Sequence, residues 1–304
     1  MEIIDAQIHQ PAPTKPLSPQ FDGEQLELVV NTELAREAMD AIGVDRALIN
    51  APQPFLDVAV ARYPDRFAGC GFLDHRAPNI DEQVAAYRDK PGMLATRTII
   101  DDWQNDVPSD DFAAGKVEPL FAACEKHHLP LFCLTHHAHQ LAPVAQKHPD
   151  LLLIIDHLGL PQPPPVKRDP DPWQRLPGMI SMAKYPNVAI KFSGALTLSL
   201  RPYPHADIWP HLHKLIDAFG PNRLMWGSDF TRLLGRRSRS TLVRVKVGFY
   251  TATRSTICAT PMRCRTQTRG LSLPGRSVAC CVGSTQPETS PIGRPPAPAA
   301  STLP

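Results

Sequence analysis

The stretch LLLIIDHLGLP, residues 151–161, decides the fold of this 304-residue chain. Five apolar residues, Leu151 to Ile155, run unbroken into Asp156, His157, Leu158 and Gly159. So short an apolar run suits a parallel strand buried on both faces. A polar pair closing it, with glycine behind, marks the end at which an α/β sheet presents side chains to a ligand. The same form returns in RLMWGSDF, residues 223–230, where Leu224, Met225 and Trp226 lead into Gly227, Ser228 and Asp229. At the start of the chain EIIDAQIH, residues 2–9, repeats it with Asp5, Gln7 and His9. Polar ends of separate buried strands converge only if the sheet closes into a barrel.

Working outward from these three stretches, apolar runs predict strands over 2–8, 44–50, 66–73, 93–100, 129–135, 151–155, 187–192 and 223–227. Helical patterns over 32–42, 55–63, 80–88, 112–128, 140–147, 173–185 and 205–219 separate them. Eight βα-type strands in so short a span are what an α/β (β/α)8 TIM barrel requires. An open doubly wound sheet would need a glycine-rich phosphate turn after its first strand. DAQIHQP, residues 5–11, has no glycine.

Beyond Leu234 the pattern stops, which divides the chain into a barrel domain, 1–234, and a tail, 235–304. The barrel part carries 21 Lys and Arg against 29 Asp and Glu, whereas the tail has 11 basic residues and one acid, Glu288. The overall charge of +2 therefore describes neither part. The tail offers no 3.6-residue period to cover the last strand. The eighth barrel helix is thus expected to be missing or replaced by an irregular basic stretch, disordered or read from a shifted frame. Its cysteines, Cys258, Cys264, Cys280 and Cys281, lack the paired CxxC spacing of a zinc site. Cys70, Cys124 and Cys133 lie in or beside apolar segments and are expected to be reduced core thiols. No run approaches the ~18 apolar residues of a membrane helix, and the N-terminus has no signal-peptide pattern. These features predict a cytoplasmic protein whose partner is a small-molecule substrate rather than a membrane or a nucleic acid. A homo-oligomer remains open.

A barrel gathers at its mouth Gln7 and His9, Arg97 and Asp101, His136 or His137, His157, Lys191 and Ser193, and Asp229. Activating a water needs a base near neutral pH and a way to stabilise an oxyanion. Imidazoles with a carboxylate supply both directly, or hold a divalent metal that acidifies its bound water.

DAQIH, GMLATR, IIDHLG, KFSG and MWGSDF, in that order over residues 1–232, resemble the amidohydrolase superfamily. The resemblance points to its amidohydrolase-related branch of lactonases, decarboxylases and small-ring hydrolases. It implies a site at the strand C-termini made of a first-strand HxH pair, a strand-five His, a strand-six His and a strand-eight Asp. Here those positions fall on Gln7 and His9, His136 or His137, His157, and Asp229. Gln7 departs from the pattern, placing a neutral amide where the family has an imidazole, a far better zinc ligand. The implied cofactor is none, or one divalent metal such as zinc on His9, His136 and Asp229. The expected activity is hydrolysis of a lactone or related cyclic ester, with Asp229, His157 and His9 catalytic and Gln7, Arg97, Lys191 and Ser193 binding substrate. The alternatives are a metal-dependent non-oxidative decarboxylase, a lyase, or a barrel disabled by its altered C-terminus.

Overall fold

The computed structural model describes residues 2–11, 23–102, 105–162, 169–202, 204–230, 271–273 and 276–278. Eight parallel strands follow one another in chain order: β1 (Ile4–Ile8), β2 (Arg46–Asn50), β3 (Phe67–Phe72), β4 (Met93–Ile99), β5 (Leu131–Leu134), β6 (Leu153–Ile155), β7 (Val188–Ser193) and β8 (Leu224–Gly227). The ends meet where Ile8 bridges Phe230. There the Asp229 amide donates to the Gln7 carbonyl at 2.9 Å and the His9 amide to the Phe230 carbonyl at 3.3 Å. The sheet is thus closed by the residues that carry its polar rim.

Each strand sends one side chain into a shared apolar interior: Ala6, Leu48, Cys70, Ala95, Phe132, Ile154, Ala189 and Met225. The period of two along a strand then brings Asn50, Arg97, Asp156 and Lys191, each two residues further on, to the same side one step nearer the strand C-termini. Outside the sheet, a larger cluster buries helices against the strands, with Phe55, Leu56, Leu120, Phe121, Met179 and Leu215 on the helix side.

The helices are α1 (Gly23–Ile42), α2 (Gln53–Arg62), α3 (Ile80–Asp89), α4 (Glu118–Lys126), α5 (Ala142–Lys147), α6 (Leu176–Ser181) and α7 (Trp209–Phe219). Five of them, α2 and α4 to α7, begin with a proline in the first turn. Proline has its φ preset for a helix start and needs no amide partner there. This shortens the segments expected at 140–147, 173–185 and 205–219. The stretch 112–128 is broken in two, because Gly115 takes φ of 72° between Asp110–Ala113 and α4. Helix α1 starts earlier than expected, before residue 32.

Cys70, Cys124 and Cys133 are free and buried, as expected. No helix among the described residues is long and apolar enough to cross a membrane. The expected loss of the eighth helix and the irregular tail lie outside the described residues, apart from an antiparallel pair, Leu271–Leu273 with Arg276–Val278.

Candidate active site

The motif after β6 is a tight turn, not a continued strand. Its residues His157 and Leu158 hold φ of 52° and 63°, and Asp229 after β8 holds φ of 54°. Left-handed backbone is costly for side chains other than Gly, Asn and Asp, and it persists where the surrounding fold enforces it. Both turns aim a polar group back across the barrel mouth. Gly227 allows the approach, since a Cβ there would stand 3.0 Å from the Gln7 Cβ and 3.2 Å from the Gln7 backbone nitrogen.

Four side chains from three strands meet at one atom. Nε2 of Gln7 lies 3.1 Å from Asp229 Oδ1, 3.2 Å from His9 Nε2 and 3.3 Å from His157 Nε2. His9 Nε2 is itself 3.0 Å from Asp229 Oδ1. On the other side of the amide, Lys191 Nζ donates to Gln7 Oε1 at 2.9 Å, with the Ser193 hydroxyl at 3.5 Å.

These contacts assign the protons. An ammonium only donates, so Lys191 fixes the Gln7 oxygen toward itself and the NH2 toward the imidazoles. His9 Nδ1 faces the Asn50 carbonyl at 2.7 Å, and a carbonyl only accepts, so Nδ1 carries a hydrogen. The contact between His9 Nε2 and the Asp229 carboxylate is an ion pair when Nε2 is protonated as well. The two Gln7 hydrogens serve Asp229 Oδ1 and His157 Nε2. His157 is left to donate from Nδ1 to the Ser193 hydroxyl at 2.8 Å.

Beneath this cluster lies a buried ionic layer. Asp156 receives Arg97 Nε at 2.6 Å and Lys191 Nζ at 2.8 Å, and the ammonium also sits 3.7 Å above the Phe132 ring. Burial alone would raise the Asp156 carboxyl, but the Arg97 and Lys191 charges outweigh it and hold the group well below the usual carboxylate range. Burial lowers the Lys191 ammonium, with Asp156 opposing. The two cations exceed the one anion, leaving a positive layer under the mouth. Arg97 and Lys191, expected to bind substrate, are thus placed on Asp156, a residue given no role of its own in the sequence reading.

His136 stands apart in its described contacts. Its backbone amide donates to Asp101, and its Nδ1 is 3.8 Å from Asp106 Oδ1. His137 accompanies it, with Nε2 facing the Asp106 carbonyl at 2.9 Å, while Arg175 grips the Asp106 carboxylate. Burial raises the Asp101 carboxyl, against the His136 amide and the Thr135 hydroxyl.

Three further residues belong to the site. Asp5 Oδ1 accepts the amides of Gln7 at 3.0 Å and Ser228 at 2.8 Å, locking β1 to the turn that carries Asp229. Gln162 donates to the His157 and Ser193 carbonyls, both at 3.0 Å. Asn50, 2% exposed at the end of β2, has no hydrogen-bond partner for either its Oδ1 or its Nδ2 among the described residues. An orphaned buried amide costs about 1–3 kcal/mol, so Asn50 has a donor and an acceptor free for a water or a substrate group at the mouth. Only the place of Asn50 at the end of an apolar run, ALIN, could have pointed to it.

Residues 4–249 match the sequence pattern of the family described as amidohydrolase, a span running past Leu234. An L-fucono-1,5-lactonase of Burkholderia ambifaria is 30% identical over 207 residues, 64% of this chain and 68% of that protein. In structure the chain resembles an amidohydrolase from Burkholderia multivorans with bound zinc, at a TM-score of 0.61 and 20% identity over 84% of this chain and 90% of that one. It also resembles a probable 2-pyrone-4,6-dicarboxylic acid hydrolase from Acinetobacter baumannii with citric acid bound, at 0.55 and 18% over 84% and 93%.

A divalent metal was implied for His9, His136 and Asp229, and the residues present do not fit one. Among the described residues no group of three or more His, Cys, Asp or Glu could hold an ion. Where His9, His157 and Asp229 converge, the atom they surround is an amide nitrogen whose two hydrogens point at Asp229 and His157. An N–H donor cannot coordinate a cation.

Proposed function

The chain belongs to the amidohydrolase family and is a hydrolase, and we propose that it opens a small lactone with water. The observation carrying this reading is the convergence of Asp229, His9 and His157 around the Gln7 amide at the barrel mouth. The likeness to an L-fucono-1,5-lactonase, 30% identical, makes a sugar-acid 1,5-lactone the leading substrate.

In this reading Asp229 accepts a proton from water, and the hydroxide adds to the lactone carbonyl carbon. The carbonyl electron pair moves onto oxygen, and the Asn50 amide, with His9 when its ring is protonated, stabilises that oxyanion. Collapse of the adduct breaks the ring C–O bond. The ring oxygen leaves as an alkoxide and takes back the proton held by Asp229, giving the open hydroxy acid. His157, held between Gln7 and Ser193, keeps the Gln7 amide turned toward Asp229. The Arg97–Asp156–Lys191 layer keeps the floor of the site positive.

The test is acid release, followed with a pH indicator, over a panel of aldonic 1,5- and 1,4-lactones that includes L-fucono-1,5-lactone. Saturable hydrolysis of at least one lactone, well above the Asp229→Asn variant, is expected. A folded protein that leaves every lactone at the uncatalysed rate overturns the reading.

A further inference from the structure

We propose that the carboxamide of Gln7 takes the place of a metal ion in this barrel, so that the chain assembles its site without one. The inference does not rest on the lactone reading, because it concerns what ties the side chains together rather than what they act on.

Three atoms of metal-ligand type surround Gln7 Nε2 at 3.1–3.3 Å: Asp229 Oδ1, His9 Nε2 and His157 Nε2. A dication would hold three such lone-pair donors by attraction. The amide holds two through its hydrogens, on Asp229 and His157, and the third through the His9–Asp229 contact at 3.0 Å.

The amide cannot turn to offer its oxygen instead. Lys191 Nζ donates to Oε1 at 2.9 Å, and a flip would set an N–H against an ammonium. Lys191 is fully buried, so losing that acceptor would leave a desolvated charge short of a partner. An ion entering among His9, His157 and Asp229 must therefore expel the NH2 group. It would then meet the Lys191 charge close behind, in a site of low dielectric where like charges repel strongly.

The test uses the full chain and zinc chloride. Bound metal is counted by elemental analysis after gel filtration, and affinity is measured by calorimetry. The unmodified chain is expected to retain less than about a tenth of an equivalent of zinc, with a melting temperature unmoved between zinc and chelator. Gln7→His restores a ligand at the centre and should bind close to one equivalent, at least about tenfold tighter than the unmodified chain. Gln7→Glu, matched in shape, should move in the same direction. Stoichiometric zinc in the unmodified chain overturns the proposal, and that measurement needs no variant. So does a folded Gln7→His and a folded Gln7→Glu that both bind zinc no better than the original.

Discussion

Asp156 and Lys191 form an ion pair 2.8 Å long in which neither side chain is exposed to solvent. Arg97 completes it from the other side at 2.6 Å. Three strands, β4, β6 and β7, are thereby bound through charge just under the residues proposed to do chemistry. An ion group so deep is held by geometry, and removing one partner strands the others.

Asp156→Asn is therefore expected to destabilise the fold by about 3–5 kcal/mol at pH 7, because two buried cations lose their anion. The pH dependence follows from the direction of the shift. The folded carboxyl lies below its unfolded value, so its contribution is fully present above the unfolded pKa near ~4 and is lost as pH falls toward the folded one. Chemical denaturation of both proteins at a series of pH values checks this. The gap between them should hold constant from pH 7 down to about 4 and narrow below that.

Asn50 should show the opposite pattern. Its side-chain amide has no partner among the described residues, so Asn50→Ala removes an unsatisfied group while opening only a small void. The two effects offset, and stability should stay within about 1 kcal/mol of the original. Lactone hydrolysis should fall about tenfold in kcat/KM, the worth of one hydrogen bond to the reacting carbonyl. Loss of stability with unchanged kinetics would make Asn50 a packing residue instead.

Ser193 bears on His157 at one remove. Its hydroxyl takes the Nδ1 hydrogen at 2.8 Å and so leaves Nε2 to accept from Gln7. Ser193→Ala frees the ring to change tautomer. The expected result is a drop of about tenfold in kcat with little change in KM. Ser193→Thr, which keeps the hydroxyl, should recover most of it. Equal loss in both variants would point to packing rather than to tautomer control.

The barrel was legible because parallel strands buried on both faces are short, mainly apolar runs, and eight of these alternate with helical segments along the chain. The two turns with Asp156, His157 and Asp229 were equally plain, since polar residues closing a buried strand have no packing reason to be there. Pairing across the barrel was not legible. Arg97 and Lys191 read as charges awaiting a substrate because their partner, Asp156, is distant from both in sequence and meets them only after closure. Asn50 was hidden for a related reason: an Asn at a strand end is ordinary turn chemistry, and only burial distinguishes it. The break at Gly115 was missed because a single glycine inside a helical pattern is tolerated at a cost of only about 1 kcal/mol.

Asp229 offers a test that separates chemistry from backbone. Its φ of 54° is a conformation that Asn accepts almost as readily as Asp, whereas Ala does not. Asp229→Asn keeps the turn and an oxygen for His9 and Gln7 but removes the carboxylate that takes the water proton. It should cut kcat by about 100- to 10,000-fold, the usual worth of a general base, with a melting temperature close to the original. Asp229→Ala should lose the same activity and in addition about 1 kcal/mol or more of stability from the strained turn. Thermal melts and initial rates on one lactone decide both points. If the Asn variant turns over at more than about a tenth of the original rate, the carboxylate is not the base, and the water must be activated by an imidazole instead.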